Sequence, residues 1–302
     1  MSSISDNELL KLILESDNQL LEEDFPPNER YNRVPELVTE NLGINTGWLG
    51  RNTHPIFGRV CEIYRLLYRK KDIKNDGFFS GIFMIRDVFG KIEIPIIFGK
   101  VGINPYEFVD FNENQIRWLD QSEEHKFFID QFADLFDSGY GLMELRDQKS
   151  IPDLTLTYWD KARYQLEAAV ATLTGTGFFD GALQSAHLVA ELTMKGALLT
   201  LGASESDLKS KFKHNLTKIA EELNKNLPDF EGHRVLATVK NFPDYVQYRY
   251  ATEKYERKET GHVVMGAQYI MSEVIRQFSD RRFRKSESLA EPFPERSYPP
   301  LK

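Results

Sequence analysis

The sequence predicts a small α+β domain followed by an all-α, up-and-down helical bundle. Three observations lead there. Beyond residue 150 apolar residues recur at helical spacing in long separate stripes, between residues 78 and 98 the pattern turns extended, and a polar stretch punctuated by Gly and Pro lies between the two regions. A chain of 302 residues with 41% hydrophobic content can bury a sizeable core, and its length favours two domains over one.

The elements follow in order. Leu9, Leu10, Leu12, Ile13, Leu20 and Leu21 predict a helix over 7–21, which Pro26 and Pro27 end. A polar loop with Asn41, Gly43 and Asn45 is expected next. Val60, Ile63, Tyr64, Leu67 and Tyr68 then predict a second helix that closes on the basic run Arg69-Lys70-Lys71, a cationic last turn suited to the helix dipole. Residues 79–85 and 91–98 read as a β-hairpin around Asp87-Val88-Phe89-Gly90, with Pro95 placing its strand at an edge or a bulge. Short strands are expected at 107–111 and 115–119. Phe128, Phe132 and Leu135 share the apolar face of a helix over 123–136. Gly139 to Leu142 and Asp147 to Pro152 mark the candidate boundary, so the expected domains are 1–150 and 151–281.

In the second region Trp159, Ala162, Leu166, Ala169, Val170 and Leu173 trace one stripe. Thr174 to Gly177 interrupts the chain. A longer helix over 178–201 turns Ala182, Leu183, Ala186, Val189, Ala190, Thr193 and Ala197 inward, and its small residues permit close helix approach. Gly202 suits the left-handed residue beyond its end. Phe212, Leu216, Ile219, Ala220, Leu223 and Leu227 form a third stripe, Val235, Leu236 and Val239 a shorter one, and 263–278 the last. Residues 282–302, basic and then rich in Pro, are expected to be a mobile tail.

Composition and motifs narrow the function. One cysteine, Cys61, excludes an intramolecular disulfide and predicts a reducing compartment, the cytoplasm. No signal peptide or membrane span is expected. A net charge of −8 disfavours non-specific adhesion to nucleic acid, while leaving room for a local basic site such as Arg281, Arg282, Arg284 and Lys285. The chain has no phosphate-binding Gly-rich loop, no dinucleotide fingerprint, no H-E-x-x-H and no G-x-S-x-G. No cofactor and no metal site are expected.

What remains is a set of polar signatures at the helix joints. They are His214-Asn215-Leu216, Tyr245 with Arg249-Tyr250, and Arg257-Lys258-Glu259-Thr260-Gly261-His262, together with Ala186, Ala190, Glu191, Lys195, Ala197 and Leu198 on the second bundle helix. Glu191 and Lys195 stand four apart and can pair along that helix, and His214 can cap a joint or pack on Phe212.

In this order and spacing the signatures resemble the HEPN domain, a helical family of prokaryotic nucleotidyltransferase partners, toxins and defence proteins. The resemblance implies binding of RNA or a nucleotide, with Arg249, Tyr250, His214 and Tyr245 as candidate contacts. It implies a homodimer, and a nucleotidyltransferase or other defence protein as a further partner. Residues 257–262 match the R-x4-6-H pattern of HEPN ribonucleases, so the alternative is a metal-independent RNA endonuclease. There His262 would move a proton at the ribose 2′-hydroxyl and Arg257 would stabilise charge on phosphorus. Lys258 and Gly261 depart from that pattern, Gly261 suggesting a loop where a rigid helix is wanted. A third reading is a scaffold whose bundle holds a partner. No family is recognised in residues 1–150.

Overall fold

The structure, a computed structural model, describes residues 4–44, 54–69, 72–73, 78–97, 102–175, 179–244, 255–285 and 295–300. The N-terminal half combines helices with one antiparallel hairpin and the C-terminal half is helical, the α+β and all-α classes that the sequence predicts. The chain divides into two compact units, Met1–Asp76 and Gly77–Lys302.

The described residues of the first unit form three helices. Ser5 and Glu8 form a capping box at the start of α1 (Asp6–Glu22). α2 (Pro27–Asn41) occupies the expected polar loop, because Pro27 sits at a first helical position, where its missing N–H costs nothing, and Val34 and Val38 supply a buried stripe. α3 (Pro55–Leu67) completes a core of Leu9, Ile13, Leu20, Val34, Val38, Val60 and Tyr64. Asp17 is buried within it and is satisfied by Arg30 Nε at 2.8 Å and by the hydroxyls of Tyr64 and Tyr68.

The second unit begins with β1 (Phe79–Ile85) and β2 (Val88–Ile94), paired from Phe79↔Ile94 to Ile85↔Val88. The turn is Arg86-Asp87, tighter and earlier than expected, with Arg86 at a positive φ of 58°. β2 stops before Pro95, which cannot donate to a ladder. Of the two further strands expected, only a single bridge, Ile92↔Val109, forms beyond a 3-10 turn at Pro105–Phe108. Residues 115–119 are helical because Asn112 and Gln115 cap each other at the start of α4 (Glu113–Asp120).

α5 (Glu124–Arg146) runs straight through the expected breaker Gly139 to Leu142. α6 (Asp153–Gly175) and α7 (Gly181–Thr200) pair closely, since a Cβ on Gly196 would lie 2.5 Å from Trp159 Nε1. Gly202 follows α7 at φ 93°. A short turn, α8 (Glu205–Asp207), passes into a π turn at Leu208–Phe212, and α9 (Leu216–Asn226), α10 (Gly232–Val239) and α11 (Arg257–Arg276) finish the bundle.

One core spans residue 150. Phe83, Ile85, Phe128, Phe132 and Leu142 belong to the same buried cluster as Trp159, Leu166, Val189, Val264 and Met271. The reason lies on α11, which is buried all round from Val263 to Arg276 and so needs neighbours on every side. α5 and β1 cover the faces that α7 and α10 leave. A lone hairpin is marginal in water, and this one gains its stability from those helices. Its exposed ladder is finished by a side chain: Gln268 accepts from Ile82 N–H at 2.7 Å and donates to Ile82 C=O at 3.0 Å, standing in for a third strand.

The last described segment is docked. Arg296 meets Asp134, Ser297 and Tyr298 donate their N–H groups to Asp130 at 2.6 and 2.8 Å, and Tyr298 is buried against Phe127. Residues 295–300 thus depart from the mobile tail expected of them. The basic run before them is largely neutralised too, Arg281 by Glu144 at 2.8 Å and Arg284 by Asp130.

Candidate functional site

α7 and α9 position the first group of candidate residues. Glu191 lies on the buried side of α7, and its surface pairing with Lys195 is replaced by a buried one, Lys195 Nζ donating at 2.7 Å. Burial would raise the Glu191 carboxyl, but hydrogen bonds from His187, Lys195 and His214 prevail and hold it at about 2. His214 stands at the joint before α9, where Lys213 takes a positive φ of 49° and Asn215 caps the helix. Its Nδ1 lies 3.1 and 3.0 Å from the two Glu191 oxygens, so a buried carboxylate across the joint orients an imidazole that is about half exposed.

Glu191→Gln is expected to cost up to roughly 3 kcal/mol at pH 7, given a carboxyl held at about 2 against the usual 4.5. The sign follows from a folded-state pKa below the unfolded one. The gap between parent and variant should be full above about pH 4.5 and close as pH falls toward 2, checked by urea denaturation across that range. A gap independent of pH would sink this assignment.

The start of α11 positions the second group. Gly261 is helical, with no loop at this point, and the structure supplies the reason for the glycine. A Cβ there would come within 2.4 Å of Met84 Sδ and 2.8 Å of a Phe89 ring carbon, so the hairpin lies directly on the helix backbone. Arg257 is turned to the same hairpin. Its Nε donates to the Asp87 carbonyl at 2.6 Å and its guanidinium stacks 4.4 Å from the Phe89 ring centre. Neither terminal nitrogen of Arg257 makes a hydrogen bond among the described residues.

His262 is exposed on another side of the helix, five residues on and therefore about 140° around it. Its ring lies nearly parallel to Tyr298, centres 6.4 Å apart, and Tyr298 Oη donates to its carbonyl at 3.2 Å. Partial burial, and secondarily Lys258 on the preceding turn, push the imidazole below its ordinary pKa. Within one chain, then, Arg257 and His262 serve separate surroundings. Arg249, Tyr250 and Tyr245 lie outside the described residues.

Two features escaped the sequence reading. The hairpin tip, distant in sequence, is what holds Arg257. The ionic hub Arg276 pairs with Glu273 at 3.2 Å on its own helix and draws Asp134 at 3.0 Å and Asp137 at 3.1 Å from α5, and no local pattern signals the pairing between the two helices. The hub also borders an open, strongly charged cleft of about 690 Å³ that includes Arg234, Arg282 and Glu295. Among the described residues no group of three His, Cys, Asp or Glu side chains is arranged to hold a metal ion, and no helix is long and apolar enough to cross a membrane.

No curated protein and no solved structure is significantly similar to the chain. The polar joints of the bundle have a counterpart all the same: residues 156–277, from α6 to the end of α11, match the HEPN domain family.

Proposed function

We propose that this chain binds RNA or a nucleotide through its HEPN domain. The observation that carries the reading is the posture of Arg257. Its guanidinium is fixed by one nitrogen and one ring face at the start of a 20-residue helix, where the helix dipole favours an anion and two guanidinium nitrogens remain for phosphate oxygens. His214, oriented by a buried carboxylate, adds a second anchored polar group. Arg249, Tyr250 and Tyr245 contribute the residue types that hold a phosphate and stack on a base. A prokaryotic defence or toxin–antitoxin setting, with a nucleotidyltransferase as partner, belongs to the same reading.

Cleavage is the second reading, favoured by one observation. His262 is exposed with its pKa lowered, so it is neutral at pH 7 and able to accept the 2′-hydroxyl proton. Because its Arg257 points elsewhere, a second copy of the chain would have to complete the pair. The small residues Ala182, Ala186, Ala190 and Ala197 are not available for such an interface, being buried inside their own chain. A dimer would use other surfaces, and light scattering tests it against the 35.0 kDa monomer.

The deciding experiment titrates labelled RNA and nucleotides into the full chain and follows RNA integrity in the absence of metal. Binding without cleavage is expected, weakened at least about tenfold by Arg249→Ala for the loss of one charged phosphate contact. Metal-independent cleavage that disappears in His262→Ala would replace binding with catalysis. No affinity for any RNA or nucleotide would leave the bundle as a scaffold.

A further inference from the structure

The β-hairpin lies outside the HEPN match, yet its tip borders the start of α11. Arg86, at that tip, covers one face of the Trp118 indole, its guanidinium carbon 4.5 Å from the ring centre. Trp118 is 41% exposed on α4, an unusual place to leave an indole in a chain with a buried aromatic core. The next hairpin residue, Asp87, holds Arg257 through its carbonyl, and Lys258 follows on the helix. The order Trp118, Arg86, Arg257 is thus spatially continuous, while Lys258 faces the His262 side of α11.

The charges on this strip are unspent. Arg86, Arg117 and Lys258 form no ion pair with any described carboxylate, and Arg257 is bound to a carbonyl, which leaves its charge in place. Elsewhere in the second unit Arg146, Lys195, Arg276, Arg281, Arg284 and Arg296 are all paired with acids. In a molecule of net charge −8 these cations without an acid partner stand beside an exposed aromatic face. The acids on these segments are Asp87, Glu113, Asp120, Glu256 and Glu259; Asp120 accepts from the Tyr106 hydroxyl, and the Glu259 carboxylate is engaged in capping its own helix.

We propose that the strip from Trp118 through the hairpin tip to Arg257 is a binding surface for single-stranded nucleic acid. A base stacks against the Trp118–Arg86 pair while Arg257 takes a phosphate of the same strand. A strand suits it better than a duplex because a planar side chain needs an unstacked base face, which paired nucleotides do not offer. This inference rests on the RNA-binding reading above and adds to Arg257 a stacking element, Trp118 and Arg86, that lies outside the HEPN match.

The test uses the full chain and fluorescein-labelled 12-nucleotide oligo(U), oligo(A), oligo(dT) and an RNA hairpin, read by anisotropy at two salt concentrations. Trp118→Ala is expected to weaken strand binding about 5- to 100-fold, the range for losing one base–aromatic stack. Trp118→Phe should keep most of the affinity, and Arg86→Gly, which suits the positive φ, should flatten the salt dependence by about one counterion. Circular dichroism melts of all variants should match the parent, since the side chains changed are at the surface. Equal binding of oligo(U) and oligo(dT) supports the surface as a general single-strand site, and preference for oligo(U) supports it with added ribose recognition. Parent-like affinity in both Trp118→Ala and Arg86→Gly overturns the surface while leaving RNA binding standing. Preference for the hairpin duplex also overturns it, and absence of binding by the parent overturns both readings.

Discussion

Replacing Arg276 with Met is expected to lower the stability of the second unit by about 3–5 kcal/mol, because it leaves buried carboxylates without their cation. Arg276 is almost wholly buried and donates to Asp134, Asp137 and Ser272 through one nitrogen and to Glu273 through another. Methionine can fill most of the volume, so the loss reports the charge. Burial raises the Asp137 and Glu273 carboxyls above the ordinary range and Arg276 opposes that rise. Without it their folded-state values move further up, and a raised carboxyl costs stability above its unfolded pKa and stops doing so once protonated. The variant's deficit should therefore be largest near pH 7 and narrow on acidification, measured by urea denaturation at pH 7 and pH 5. Arg276→Met with Asp137→Asn should recover part of the loss. A deficit that does not change with pH would mean that the carboxylates are not the source of the cost.

A fragment covering residues 150–284, the whole HEPN match with short margins, is expected to be unfolded or insoluble, whereas residues 77–302 should fold and show strongly helical circular dichroism. The shorter fragment lacks β1, β2 and α5. Phe83, Ile85, Phe128, Phe132, Leu135 and Leu142, all buried, would vanish from the faces of α6 and α11 that they cover. Each large side chain of this kind contributes about 1.5–3 kcal/mol by its burial, so the sum exceeds the whole margin of an ordinary domain. Gln268 would lose its partners on Ile82, and Arg276 would lose Asp134 and Asp137. A soluble, cooperative 150–284 fragment would show that the bundle is self-sufficient.

Helix by helix, much of this was legible in the sequence. α1, α3, α6, α7 and α9 to α11 follow apolar stripes at helical spacing, and the joint signatures pointed to the HEPN domain that the family match bears out. α2 was hidden by Pro26, Pro27 and Pro35, although a proline in the first turn is compatible with a helix. Residues 115–119 alternate like a strand, and the cap formed by Asn112 and Gln115 outweighs that alternation. The second miss concerns a short segment, where one capping contact decides between conformations of similar energy.

The division of the chain was another matter. Local signals at Gly139, Gly141 and Pro152 suggested a boundary there, and the structure carries one core across it, because a helix as apolar as α11 must be covered on all sides and the nearest cover comes from β1 and α5. The same holds for the candidate site. Residue types and spacing identified Arg257, His262, Glu191, Lys195 and His214. Only the tertiary structure turned Arg257 toward Asp87 and Phe89, set His214 on Glu191 and laid Tyr298 beside His262. Periodicity and capping act over a few residues and can be read along the chain, while the partners of a polar side chain are set by which distant segments share its core, and that is decided only when the whole chain packs.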